Sequence, residues 1–320
     1  MSIIDTGLPD GTEDFVGIKA RELENLRNIL LNKFYRNDYQ LVFPSLIEFS
    51  DSLGGDANDS LKASTYSFSD ETSRKDIAVR PDISQQIARI DLQRGSKARE
   101  KYCYFGETLR KSKDSLTKSR IAYKAGVELF GKVSSSDEIE IIKLMISSLK
   151  STGKYKTVLS VGRTEPFSEI VESLKLPILD LQLLKNIMSS KSSSDLEDFC
   201  FSRKISRKNL IELKNLMLLN GKIETLRYLK NHKNKVFKDA AKKLEKLLKK
   251  LPSSIDYHVD FSDFPGFDYH SGLVFSLHAE GFGFPIAKGG FYRTTQNNLE
   301  REAIGFDINI SSLIKLKKLK

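Results

Sequence analysis

The segment Val79-Arg80-Pro81-Asp82-Ile83-Ser84 sets a carboxylate and a hydroxyl two residues apart, just after a proline. Proline suits the start of a helix. Placed there, Asp82 and Ser84 could receive the amine of a ligand, and they could equally cap the helix they open. Two glycine-aromatic clusters are the other pieces that could do chemistry. One is Pro265-Gly266-Phe267-Asp268-Tyr269-His270-Ser271-Gly272, the other Ala287-Lys288-Gly289-Gly290-Phe291-Tyr292. Glycine on a strand marks a place where backbone or ligand must come close. A tyrosine beside it offers an apolar wall with a polar tip. Tight turns in a sheet account for the same residues equally well. The four histidines, His232, His258, His270 and His278, lack a His or Cys partner at ligand spacing, so no metal site is expected. Cys103 stands between tyrosines in an apparent strand and reads as a buried small hydrophobe. No P-loop, GxGxxG, HExxH or GxSxG pattern is present.

The elements that must position these residues follow from periodicity. Leu23, Leu26, Leu30 and Phe34 recur at helical spacing and predict an amphipathic helix over 18–37. Residues 39–47 read as a strand interrupted at Pro44, and 50–64 as a loop. Residues 66–68 and 77–79 read as short strands, and 82–92 as the helix opened by Pro81. Strands are expected over 101–109 and 121–130, with a polar loop between them. Asp137 with Glu140 suggests a cap for a helix carrying Ile139, Ile142, Met145, Ile146 and Leu149. A strand over 155–162 ends in a break at Pro166. Residues 167–250 turn helical and lysine-rich. After Pro252 the aromatic, alternating pattern returns, with glycine turns between strands. The division is therefore 1–166, a helical insertion over 167–252, and 253–320. The fold class is α+β: one mostly antiparallel sheet flanked by helices.

Composition bounds the function. The chain has 320 residues, 39% hydrophobic and 29% charged, enough apolar mass for a sizeable core and roughly two domains. Two cysteines, Cys103 and Cys200, cannot form a disulfide framework. No run approaches the ~20 apolar residues of a membrane span, and no secretory signal is visible, so the expected address is the cytoplasm. The net charge of +10 admits a polyanion partner such as tRNA. The basic residues are mostly lysines, concentrated near 222–250 and in the tail LIKLKKLK, so a solvated lysine coat is the stronger reading.

In order along the chain, GLPDGTEDF, VRPDISQQIARI, KYCYFGETLRK, KAGVELFG, GFDYHSGLVF, AKGGFYRT and AIGF resemble the histidyl-tRNA synthetase superfamily. The resemblance spans nearly the whole sequence. It implies the class II synthetase catalytic fold, a six- or seven-stranded antiparallel sheet with helices, dimerising through its N-terminal part. It also accounts for the helical insertion. A synthetase of this family continues into an anticodon-binding module, whereas this sequence ends at Lys320.

The resemblance assigns residues one at a time. Arg110 keeps the ATP-binding arginine of the second motif. Ser112 stands where an acidic residue faces adenine. Pro265 and Ser312 replace two arginines, one assisting activation and one holding the γ-phosphate end of ATP. Fixed cations stabilise the charge that develops on the leaving pyrophosphate. Their loss should abolish adenylate formation. The amino-acid pocket is better kept. Asp82 retains a carboxylate for a ligand's α-amino group, Ser84 stands in for a Thr, and Glu128, Tyr269 and Tyr292 match pocket residues. His270 replaces a tyrosine and Lys124 a glutamine.

This profile is similar to one paralogous group, the regulatory subunits of ATP phosphoribosyltransferase, from the first step of histidine biosynthesis. The resemblance implies a non-catalytic protein that forms a homodimer within a hetero-octamer. Its partner would be a short-form catalytic subunit, which it activates, and histidine would be its allosteric ligand. No cofactor, specific nucleic acid or membrane partner is expected. Feedback could use the pocket or a surface shared with the partner. Two other readings stand beside it: a short synthetase-like enzyme making an aminoacyl adenylate for a non-tRNA acceptor, and a tRNA-sensing module.

Overall fold

The computed structural model describes residues 7–52, 59–113, 118–263, 270–296 and 299–318. They fall into two units.

The first unit comprises Met1–Glu128 and Asp307–Lys320. Its first helix, α1 (Ile18–Tyr35), buries Leu26, Leu30, Leu31 and Phe34 and leaves its charged face to water, as the spacing predicts. The stretch expected as one interrupted strand is two: β1 (Gln40–Leu41) and β2 (Ile47–Phe49), which join different sheets. Pro44, with no N–H to give a ladder, lies between them. The expected loop over 50–64 contains a short helix, α2 (Asp59–Ser64). Next come β3 (Ser67–Asp70) and β4 (Lys75–Val79), which make a three-stranded antiparallel sheet in the order β2-β4-β3. Helix α3 (Ser84–Arg94) ends on a left-handed Gly95. Strand β1 pairs parallel with β5 (Glu100–Leu109), which neighbours β6 (Ile121–Phe130). The lysine-rich tail is a packed helix, α11 (Ile310–Lys318). It buries Ile310, Leu313, Ile314 and Leu316, and Lys317 pairs with Glu22 of α1 at 3.3 Å.

The second unit is Leu129–Phe306. Helix α4 (Ser135–Thr152) carries the expected apolar stripe, but its cap is Ser134 rather than the Asp137–Glu140 pair. Asp137 is the third helical residue and accepts from the Ser134 N–H at 2.8 Å, closing a capping box. After β7 (Thr157–Arg163), Pro166 does not break the chain. It sits in the first turn of α5 (Glu165–Glu172), where a missing N–H costs nothing. Then follow α6 (Ile178–Ser190), α7 (Ser193–Ser202), α8 (Arg207–Met217), the two-residue β8 (Asn220–Gly221), α9 (Arg227–Lys230) and α10 (Lys235–Leu248). Helix α10 buries Phe237, Ala240, Ala241, Leu244, Leu247 and Leu248 and exposes Lys235, Lys242, Lys243 and Lys246, the expected lysine coat. The chain returns through β9 (Asp256–Asp260), β10 (His270–Ala279), β11 (Pro285–Gln296) and β12 (Leu299–Asn309).

The strand order in this unit is β12-β11-β10-β7-β9-β8. Strand β10 runs antiparallel to both β11 and β7, while β7 and β9 are parallel. Each unit thus carries a parallel pair beside its antiparallel ones, β1–β5 in the first and β7–β9 in the second. Among the described residues no helix is long and apolar enough to cross a membrane.

The described parts of the two glycine-aromatic clusters meet on adjacent strands. A Cβ on Gly289 would come within 2.1 Å of the Gly305 carbonyl oxygen and 2.8 Å of the Phe275 ring. A Cβ on Gly272 would lie 2.9 Å from the Phe291 ring. These glycines are there because neighbouring backbone and rings occupy the space. Gly289→Ala is expected to cost about 2 kcal/mol or more, since a main-chain carbonyl cannot swing aside. A fall in the urea midpoint at constant m checks this. Both cysteines are buried, and burial pushes the Cys103 thiol up to about 12 and the Cys200 thiol up to about 11. Both should stay protonated at neutral pH and resist iodoacetamide in the folded protein. Rapid labelling of either one before unfolding, followed by mass spectrometry, would contradict this.

Candidate functional site

The candidate site in the first unit grows from one strand-to-helix junction. Pro81 and Asp82 connect β4 to α3, and Asp82 Oδ1 accepts the Ser84 N–H at 2.9 Å. This satisfies an unpaired donor at the helix start, where the helix dipole also favours a carboxylate. Ile83 holds the cap position itself, without a side-chain hydrogen bond, so Asp82 supports the first turn from one residue before it. The other oxygen of Asp82 is turned elsewhere. Lys124 on β6 places Nζ 3.6 Å from Asp82 Oδ2 and 3.0 Å from Asp307 Oδ2 on β12. All three side chains are at most 8% exposed. A lysine held between two buried carboxylates is the electrostatic centre of the site.

Tyr104 on β5 closes the group. It is fully buried, and its hydroxyl lies 3.3 Å from Ser84 Oγ. Burial, and then the charges of Asp307, Glu128 and Asp82, push its hydroxyl well above the usual tyrosine range. It therefore stays protonated and keeps a hydrogen to donate. Arg110, just past β5, donates from Nε to the Pro81 carbonyl at 3.0 Å and so holds the junction from outside. Neighbouring Arg80 is buried and donates to the carbonyls of Glu107 at 2.7 Å and Pro44 at 3.0 Å. A Cβ on Gly106 would stand 2.5 Å from Arg80 Nη2, so glycine there gives the guanidinium its path.

Of the residues singled out in the sequence, Asp82, Ser84, Arg110, Lys124 and Glu128 are gathered in this unit. Ser112 is exposed beyond the end of β5. Ser312 is buried in the first turn of α11, its N–H donating to Asn309 Oδ1 at 3.1 Å. Pro265, Tyr269 and the His270 side chain lie outside the described residues. Tyr292 belongs to the second unit. It is buried on β11, packs edge-on against Phe130 with centroids 6.3 Å apart, and faces the His270 backbone in strand register.

Sequence reasoning missed Tyr104 and Asp307. The signal was within reach, because Tyr104 lies inside KYCYFGETLRK and Asp307 directly follows AIGF. It also missed a cluster in the second unit, in a cavity of about 960 Å³. There Tyr228 donates to Glu212 at 2.7 Å, and His232 Nε2 lies 3.1 Å from the same carboxylate. The Asn234 N–H donates to His232 Nδ1, which puts the ring proton on Nε2. Nothing in the spacing of Glu212 and His232 announces that contact.

Asp307→Ala is expected to cost about 3 kcal/mol, the low end for breaking a buried pair, because Asp82 still faces Lys124. Asp307→Asn should cost less. Urea unfolding of the two variants beside the parent checks the order.

Known proteins share the fold and most of the length of this chain. The family model for histidyl-tRNA synthetase matches residues 11–313. A protein of Hahella chejuensis described as an ATP phosphoribosyltransferase regulatory subunit is 27% identical over 97% of this chain and 79% of its own length. A protein of the same description from Hydrogenovibrio crunogenus is 29% identical over 96% of this chain and 82% of its own. Among solved structures, an ATP phosphoribosyltransferase regulatory subunit/histidyl-tRNA synthetase from Bacillus halodurans superposes with TM-score 0.83. It is 20% identical, covering 98% of this chain and 84% of that one. A histidine–tRNA ligase subunit from Alicyclobacillus acidocaldarius gives TM-score 0.80 at 17% identity, covering 100% and 99%. The fold expected from the resemblance, the class II synthetase fold with its helix-flanked sheet, is the fold these structures share with this chain. On the extent of the family match, the chain belongs to the histidyl-tRNA synthetase family.

Proposed function

We propose that this chain is the non-catalytic regulatory subunit of an ATP phosphoribosyltransferase, the enzyme of the first step of histidine biosynthesis. Relatives that match nearly the whole chain carry that description. The observation that carries the reading is the charge around Asp82. The carboxylates of Asp82, Glu128 and Asp307 all bear on Tyr104, and Lys124 is engaged on two of them. Such a group suits an amine. Adenylate formation needs fixed cations on phosphate oxygens. Arg110 keeps one such cation, but Ser312 offers a buried hydroxyl and Pro265 no charge where the family resemblance puts two further arginines.

In this reading the chain acts in the cytoplasm, without cofactor, nucleic acid or membrane. It assembles as a homodimer within a hetero-octamer with a short-form catalytic subunit. It switches that subunit on by favouring an active quaternary state. Histidine, received at Asp82, Ser84 and Glu128 beside Arg110 and Lys124, biases the other state; the family resemblance adds Tyr269, His270 and Tyr292 as candidates. Coupling of this kind requires different histidine affinities in the two states.

The test is reconstitution with a short-form catalytic subunit from the same source. Phosphoribosyl-ATP formation should rise when this chain is added and fall again with histidine. The chain alone should give no histidine-dependent pyrophosphate exchange. Failure to bind or activate the catalytic subunit rejects the reading, and pyrophosphate exchange would favour an adenylate-forming enzyme instead.

A further inference from the structure

We infer that Lys124 is a tethered competitor for the ligand's amino group, so that its hold on Asp82 sets the histidine concentration to which the site responds. This rests on the reading that histidine's amine is received at Asp82. Asp82 is 2% exposed, and both its oxygens are engaged. Oδ1 accepts the Ser84 N–H, and Oδ2 faces the Lys124 ammonium. A carboxylate oxygen has two lone pairs, so a further ammonium could hydrogen-bond Oδ2. There it would face the Lys124 ammonium in a buried, poorly screened site, and that repulsion is relieved only if one of the cations moves away. The Ser84 N–H is a main-chain donor fixed in the first turn of α3, so it stays. Lys124 sits on a flexible four-carbon stem with rotatable donors, so it yields.

The distances show which partner it gives up. The Asp307 contact, at 3.0 Å, is a hydrogen bond. The Asp82 contact, at 3.6 Å, is an ion pair beyond hydrogen-bond reach. Lys124 can therefore leave Asp82 and remain neutralised by Asp307. Exchanging one ammonium for another at Asp82 strands no buried charge, which is the costly outcome in such a site. The lysine thus makes amine binding conditional. A ligand must outbid a cation already attached to the chain.

The experiment uses the full chain and two ligands, histidine and imidazolepropionate, which is histidine without its amino group. Titration calorimetry measures both on the parent and on Lys124→Met, which keeps the stem and removes the charge. Histidine should bind Lys124→Met at least tenfold more tightly than the parent, and imidazolepropionate should gain nothing. The ratio of the two affinities then rises at least tenfold. Should Lys124→Met not fold, Asp307→Asn provides the opposite arm. It leaves Lys124 with Asp82 as its charged partner and should weaken histidine several-fold without weakening imidazolepropionate. An unchanged or reduced ratio in Lys124→Met, or an unchanged ratio in Asp307→Asn, overturns the inference. So does absence of histidine binding in parent and variants alike. Activation of the catalytic subunit with histidine inhibition, alongside an unchanged ratio, would reject this inference and leave the regulatory reading standing.

Discussion

Lys124, lodged between Asp82 and Asp307, ties together three parts of the chain that are far apart in sequence. Asp82 lies at the entrance to α3, Lys124 on β6 and Asp307 at the end of β12. A buried ammonium and two buried carboxylates are each expensive to desolvate, and only their mutual arrangement repays it. The group therefore demands one register of β6 and one placement of the α3 N-terminus. With the packing of α11 on α1 it ties the last residues, from Asp307 onward, to the first unit. The next hydrogen bonds follow from it. The Tyr123 N–H donates to Ser311 Oγ at 3.1 Å, and Ser311 opens α11.

Around this centre several polar groups have assigned partners. Asp82 accepts the first N–H of α3 with one oxygen and faces a cation with the other. Tyr104 is kept protonated by burial and by the surrounding carboxylates. Arg80 and Arg110 spend donors on main-chain carbonyls of the loops that frame the junction. Arg110 gives its Nε and Arg80 its Nε and Nη1, so both guanidinium groups help fix the loops on either side of the carboxylates. The same kind of accounting separates the lysines. Those of α10 lie on a solvated face opposite an apolar one, and they need no polyanion to explain them.

The glycine-aromatic clusters illustrate how one residue pattern can carry two meanings. Gly289 and Gly272 are required by close packing within a sheet, whatever binds nearby. Tyr292 is buried and packs on Phe130. In those strands the turn-and-packing explanation holds for the described residues, and a ligand role must be shown by binding rather than read from glycine content.

The sequence by itself determined the local elements and the family. Periodicity located α1 and the helical character of 167–250, the strands expected over 101–109 and 121–130 are β5 and β6, and the ordered motifs pointed to the synthetase fold, because each depends on neighbours a few residues apart. Tertiary structure decided what distance along the chain conceals. It split residues 39–47 between two sheets, made β1–β5 and β7–β9 parallel, folded the lysine-rich tail into a packed helix, and moved the α4 cap to Ser134. Above all it brought Asp307 to Lys124 and Tyr104 to Ser84. A side chain's type is legible in sequence. Its charge partner is not, because 183 residues separate Lys124 from Asp307 and only the folded backbone closes that interval.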